Sequence, residues 1–213
     1  MKVLLFNGSP HKNGCTYTAL EEISKTLKEE GIESEIYQIG VKSLTPCRGC
    51  GACSKLGKCV IGDDDVNNFI EIAKDFDGFI FGSPVHYGSA CGGITAFLDR
   101  AFFAAFMSGR EDIFSHKPGA AIVSARRSGT TAALDQLNKY FAITEMPMIS
   151  GRYWNMVHGA VPDEVKQDLE GMQNMRILAR NMAWFLKLKQ AGESLGVKLP
   201  QKEEIVFTNF IRA

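Results

Sequence analysis

Short runs of apolar residues recur along the chain, each followed by a turn rich in glycine and serine and then by a helical pattern. This alternation is what most restricts the fold. Val3-Leu4-Leu5-Phe6 runs into Gly8-Ser9-Pro10, Phe79-Ile80-Phe81 into Gly82-Ser83-Pro84, and Ala120-Ala121-Ile122-Val123 into Ser124 and Gly129. A strand that is apolar at successive positions is buried on both faces, which is the pattern of a parallel sheet. The pattern predicts strands at 2–7, 35–39, 78–82 and 119–124, with a weaker fifth at 146–149. Between them fall helices: one with Tyr17, Leu20, Ile23 and Leu27 on one face, one over 63–74, one over 94–107 and one over 130–140. A long helix begins at Pro162 and runs to about Gln190. Right-handed strand–helix–strand units of this kind give a doubly wound α/β fold, a five-stranded parallel sheet in the order 2-1-3-4-5 with helices on both faces. Residues 1–190 form that domain, with a cysteine-rich loop at 46–62. Residues 191–213 form a tail whose Ile205, Val206, Phe207 and Phe210 suit either an oligomerisation arm or a terminal strand on the same domain.

Composition removes several classes of function. The 213 residues carry no net charge, so neither nucleic acid nor an anionic membrane surface is expected as a partner. There is no long uncharged apolar run to cross a bilayer. The opening run leads straight into a glycine turn with no cleavage site, so it reads as a strand and not as an export signal. Six cysteines without an export signal point to a reducing cytoplasm, where thiols serve as ligands or reactive groups more often than as disulfides.

Four of those cysteines, Cys47, Cys50, Cys53 and Cys59, lie in one short loop with the spacing C-x2-C-x2-C-x5-C. Soft thiolates select zinc, copper(I) or iron–sulfur centres. Structural zinc sites space their ligand pairs further apart. Three cysteines at three-residue steps with a fourth nearby match the ligand run of a [4Fe-4S] cluster. Gly49, Gly51 and Gly57 allow the backbone to coil around such a centre. Zinc, two disulfides and a loop of free thiols are the alternative readings of the same spacing.

The turns after the strands gather at one edge of the sheet, where doubly wound folds bind their ligands. The first offers Ser9, His11, Lys12, Asn13, Gly14, Cys15 and Thr16 ahead of a helix N-terminus, a ready anion site. It lacks the patterns of a nucleoside-triphosphate loop and of a dinucleotide loop, so a phosphate monoester such as that of FMN fits best. The alternative is a polar turn that only caps the helix. The second offers Ser83, Pro84, Val85, His86, Tyr87 and Gly88: amides for the polar edge of a flavin, a ring to stack on it, and a histidine as candidate proton donor, or else an ordinary packed loop. The third offers Ser124, Arg126, Arg127 and Gly129, with the arginines as contacts for flavin or nicotinamide phosphates or as a solvated pair. Asp99 and Arg100, on the helix after the second loop, read as a structural ion pair. Cys91 is expected to cap or pack into that helix.

Taken together, Gly8-Ser9-Pro10, Lys12-Asn13-Gly14 and Thr16, with Phe81-Gly82-Ser83-Pro84-Val85 to Gly88 and Phe97-Leu98-Asp99-Arg100, resemble the NAD(P)H-dependent FMN reductase branch of the flavodoxin-like superfamily. With the four cysteines added, the first 140 residues are similar to the iron–sulfur flavoprotein group. The resemblance implies a flavodoxin-like fold, FMN bound by the three loops, a [4Fe-4S] cluster on the four cysteines, and a homodimer or homotetramer. It implies an oxidoreductase that carries electrons from NAD(P)H, or from a reduced carrier, to a small-molecule acceptor or to a redox protein such as ferredoxin. Two rival readings are an electron carrier with no substrate site of its own and a flavin-binding redox sensor with a zinc or thiol site. His11 and Cys15 depart from the residues common in relatives, arginine and asparagine respectively.

Overall fold

The computed structural model describes residues 1–208. Strand β1 (Lys2–Asn7) lies inside a parallel sheet, with β2 (Glu33–Gln38) on its edge side and β3 (Gly78–His86), the central strand, on the other. Beyond β3 come β5 (Gly119–Ala125) and β6 (Met156–His158), also parallel. The two-residue β4 (Ser89–Ala90) folds back antiparallel on the end of β3 and stands off this path. The five parallel strands therefore follow β2-β1-β3-β5-β6, the doubly wound order that the alternation predicts.

Side-chain alternation along the strands divides the core in two. Val3, Leu5, Ile80, Ala120 and Ile122 meet helices α1 (Cys15–Glu29) and α7 (Leu169–Ser194) on one face. Leu4, Phe6, Phe79, Phe81, Ala121 and Val123 meet α3 (Val66–Ala73), α4 (Gly92–Met107) and α5 (Thr130–Ile143) on the other. The second face is aromatic. Phe6 stands 4.8 Å from Phe97 and 5.4 Å from both Phe69 and Tyr37, centroid to centroid. The cysteine loop, which includes the short helix α2 (Cys53–Leu56), closes over this aromatic half of the core, with Cys53 buried in it.

Several predicted elements move, each for a local reason. Residues 146–149 make only one bridge to the sheet, Met148 beside Gly119, because Pro147 offers a carbonyl but no N–H. The chain then bulges outward, held by Asn155 and Asn174, and the fifth strand forms at 156–158. The helix from Pro162 is interrupted. It forms α6 (Pro162–Gln167), stops at Asp168, and restarts as α7, because the Asp168 carboxylate accepts from the Gly171 N–H at 2.9 Å and caps the new helix. Strand β3 runs on to His86 and turns back through Tyr87-Gly88, so the expected loop 83–93 is in its first half a hairpin. Helix α3 starts at Val66, and the acids before it are not in its first turn. Arg100 pairs with Asp64 and not with Asp99, which accepts instead from the Tyr140 hydroxyl at 2.5 Å. Residues 195–208 contain no helix or strand, and Ile205, Val206 and Phe207 are exposed. Of the expected terminal strand, 204–208 is irregular, and Asn209 and Phe210 lie outside the described residues.

Candidate functional site

A cleft of about 650 Å³ opens at the carboxyl ends of β1, β5 and β6. Its floor is the N-terminus of α1. That helix has no side-chain cap and no acidic residue in its first turn, so its first N–H groups and its dipole face the cleft unopposed. Ser9, His11, Lys12, Asn13, Gly14, Cys15 and Thr16 line one side, Pro84 and Val85 another, and Ser124 and Arg126 a third.

The first loop is held from beneath. The Asn7 carboxamide, fully buried, accepts from the Ser9 N–H at 3.2 Å and donates to Gln38 Oε1 at 2.6 Å. Gln38 in turn donates to the Ser9 carbonyl at 2.7 Å, tying the loop to the end of β2. Ser9 Oγ accepts from the His11 N–H, and the Thr16 and Ser124 hydroxyls share a hydrogen bond of 2.8 Å across the gap between α1 and β5. Gly8 has no room for a side chain: a Cβ there comes within 2.6 Å of Ile94 and 2.7 Å of the Gly82 carbonyl. Burial pushes the Cys15 thiol up, with Glu164 adding to the shift, so it sits in the cleft as a neutral thiol.

The remaining predicted residues stand around this cleft and not in its lining. Ser83 is wholly buried, its hydroxyl donating to the Pro84 carbonyl and accepting from the Cys91 N–H at 3.0 Å. His86 and Tyr87 are exposed at the hairpin, and Tyr87 takes a positive φ of 50° with its ring free of the protein surface. Gly88 and Gly129 touch: a Cβ on Gly129 falls 2.6 Å from Gly88 Cα, so the second and third loops close on each other at this point. Arg127 points to solvent. Sequence reasoning missed Gly159, Ala160 and Pro162, which form the fourth wall of the cleft. They follow β6, and placing the fifth strand at 156–158 brings them into view. It also missed the supporting roles of Asn7 and Gln38.

The four loop cysteines converge on a second, smaller pocket, together with Arg48, Gly51, Val60, Ile61, Arg100 and Phe103. Cys47 and Cys50 are exposed, Cys59 is half-buried and Cys53 buried. All six cysteines are free thiols. Gly49, Gly51 and Gly57 take positive φ values between 61° and 68°, the tight coiling that the glycines allow. Burial pushes the Cys53 thiol up, with Cys50 and Cys59 nearby adding to the shift; bound metal displaces such a proton. Among the described residues no three histidine, cysteine or acidic side chains gather tightly enough for a single ion. The four thiols instead ring a shared pocket.

The pattern of NADPH-dependent FMN reductase matches residues 1–161. The chain belongs to that family. An iron-sulfur flavoprotein of Methanocaldococcus jannaschii is 31% identical over 195 residues, covering 88% of this chain and 98% of the relative. An iron-sulfur flavoprotein of Archaeoglobus fulgidus is 29% identical, covering 85% and 95%. In shape, the chain is similar to an archaeal flavodoxin, with a TM-score of 0.59 at 14% identity over 88% of this chain and 99% of the other. The fold is flavodoxin-like, and the protein is a flavin-dependent oxidoreductase. No helix among the described residues is long and apolar enough to cross a membrane.

Proposed function

We propose that this oxidoreductase takes electrons from NAD(P)H onto FMN in the α1 cleft. From there they pass, through a [4Fe-4S] cluster on Cys47, Cys50, Cys53 and Cys59, to a small acceptor such as a quinone or nitro compound, or to a redox protein such as ferredoxin. The residues fit both groups. The cleft offers uncapped helix N–H groups, the Ser9 and Thr16 hydroxyls and the cations of Lys12 and Arg126, the donor set that a phosphate monoester takes. The cysteine pocket offers four soft sulfur donors and a coiled glycine backbone. Bound there, FMN exchanges one or two electrons and the cluster exchanges one, so the pair links two-electron to one-electron chemistry.

The chain's own part is to bind and to orient. Asn7 and Gln38 fix the phosphate loop before any ligand arrives, and the Thr16–Ser124 bond holds α1 against β5. The Gly88–Gly129 contact sets the spacing of the two loops that flank the mouth, and Tyr87 is left free above it. No nucleophilic side chain is needed.

The observation that carries the reading is the convergence of all four cysteines against α4, a helix separated from the β3–β4 hairpin by Cys91 alone. Ile94, in the first turn of that helix, stands beside Gly8 behind the cleft's first loop, and Arg100, eight residues from Gly92 and about 12 Å of rise along it, lines the cysteine pocket. The test is a double variant, Cys50→Ser with Cys53→Ser, studied without oxygen. NADPH is expected to bleach the flavin band at the wild-type rate, while transfer to a one-electron protein acceptor falls at least tenfold. Unchanged transfer sinks the role of the cysteines. Failure of NADPH to bleach the flavin even in the wild type leaves an electron carrier fed by another reductant.

A further inference from the structure

Arg100 is the one charged residue that is fully buried among the described residues, with none of its side chain exposed. A buried guanidinium is costly unless every N–H finds a partner. Here each does. Nη1 donates to the Thr45 carbonyl and to Asp64 Oδ2, Nη2 to the Ile61 carbonyl at 2.8 Å and to Asp64 Oδ1 at 3.0 Å, and Nε to Cys59 Sγ at 3.3 Å. Asp64, itself almost buried, balances the charge. The partners lie on both sides of the cysteine run, at 45 before Cys47 and at 59, 61 and 64 at and after its end. One side chain from α4 thus draws the two ends of the loop together.

Cys59 is held at more than its sulfur. Its N–H donates to Asn67 Oδ1 at 2.9 Å, and its carbonyl accepts from Asn67 Nδ2 at 3.0 Å. The fourth cysteine is therefore fixed through its backbone by α3 and through its sulfur by α4, whereas Cys47 and Cys50 are exposed. A cation fully enclosed by protein, with one donor aimed at a thiol, is more than a packing device, since an apolar side chain would fill the same space at lower desolvation cost.

We propose that Arg100 is the positioning residue of the iron–sulfur site. It holds Cys59 in place as the fourth ligand, and its donated hydrogen bond and positive charge raise the reduction potential of the bound cluster. This rests on the cluster reading of the cysteine loop. A donor and a cation beside a ligand sulfur favour the reduced state, which carries one more negative charge, so their removal lowers the potential.

The test uses the full chain purified without oxygen, with two variants. Arg100→Lys keeps a charge but loses the fork and the bond to sulfur. Arg100→Met with Asp64→Leu replaces the pair by apolar groups of similar size, which leaves no buried charge unpaired. Three quantities are read: iron and labile sulfide per chain, flavin per chain, and the cluster's midpoint potential with a mediated electrode as the one-electron donor. Both variants are expected to keep wild-type flavin. The double variant either loses most of its iron or carries a cluster whose reduced-to-oxidised ratio at a fixed potential falls about tenfold, equal to about 59 mV for one electron. Arg100→Lys is expected to shift less. Wild-type iron at wild-type potential in the double variant overturns the proposal. So does loss of flavin together with iron, which makes Arg100 a support of the whole fold. Absence of iron from the wild-type protein overturns the cluster reading itself and is told apart by the wild-type assay.

Discussion

Gly8→Ala tests how tightly the cleft depends on close backbone approach. Gly8 donates its N–H to the Gly82 carbonyl at 2.8 Å, joining the chain just past the end of β1 to the middle of β3. An added methyl meets Ile94 Cδ1 at 2.6 Å, Gly82 O at 2.7 Å and Ile94 Cβ at 2.8 Å. The first contact is with the end of a side chain that can turn aside. The other two are with a backbone oxygen and a helix-anchored carbon, so β1 must separate from β3 or α4 must shift. Overpacking costs about 1–3 kcal/mol, and immovable neighbours put this case near about 3 kcal/mol. For a chain of this size that is a fall in melting temperature of about 6–12 °C. The loop that moves is the one that bears Ser9, so FMN affinity is expected to fall at least about tenfold, near 1.4 kcal/mol. Adding Ile94→Val removes only the 2.6 Å contact and so recovers part of the loss, a coupling of about 1 kcal/mol. Calorimetry of the flavin-free chain and a fluorescence titration with FMN measure both effects. A Gly8→Ala protein that melts within about 2 °C of the wild type and binds FMN equally well refutes the packing argument.

Three further outcomes are expected. Thr16→Val removes the shared hydroxyl bond to Ser124 at constant shape, and should cost about 1 kcal/mol in chemical denaturation while weakening FMN binding. Tyr87 occupies a positive-φ position of a two-residue hairpin turn that favours asparagine; Tyr87→Asn should stabilise the flavin-free chain by about 1 kcal/mol in a thermal melt. Burial, followed by the charge of Asp65, pushes the Tyr37 hydroxyl up to about 12. The folded state then holds this proton where the unfolded chain has lost it, so Tyr37 lends stability below its ordinary value near 10, and that stability is lost as pH rises toward 12. Melting temperatures between pH 9 and 12 should fall less steeply in Tyr37→Phe, once the other tyrosines' common contribution is subtracted.

The buried strands and their following turns were legible because a parallel strand is apolar on both faces and leaves little choice of register. The fifth strand was not. Met146 to Ile149 is apolar enough, but Pro147 denies it a ladder, while Met156-Val157-His158 is too short to stand out and depends on Asn155 and Asn174 to deliver it to β5. That error hid the fourth wall of the cleft. The ligand-facing turns could be read from their order along the chain, since every parallel strand sends its carboxyl end to one edge. Which of their residues line the cleft could not, because hairpin formation at Tyr87-Gly88 turns His86 and Tyr87 outward and folds Ser83 inward. Arg100 was misassigned for a related reason: sequence shows its neighbour Asp99, but helix geometry sends adjacent side chains in different directions. Its partner lies at Asp64, across the cysteine loop.

Flavin and a four-iron cluster are both expected on this chain. The visible spectrum of protein purified without oxygen, with iron, acid-labile sulfide and flavin counted per chain, tests this. Flavin bands with about four irons and four sulfides per chain are expected, with the iron and sulfide lost and the flavin kept in Cys50→Ser with Cys53→Ser. Flavin bands with no iron and no sulfide in the wild-type protein contradict this expectation, and leave an FMN reductase whose four thiols serve another end.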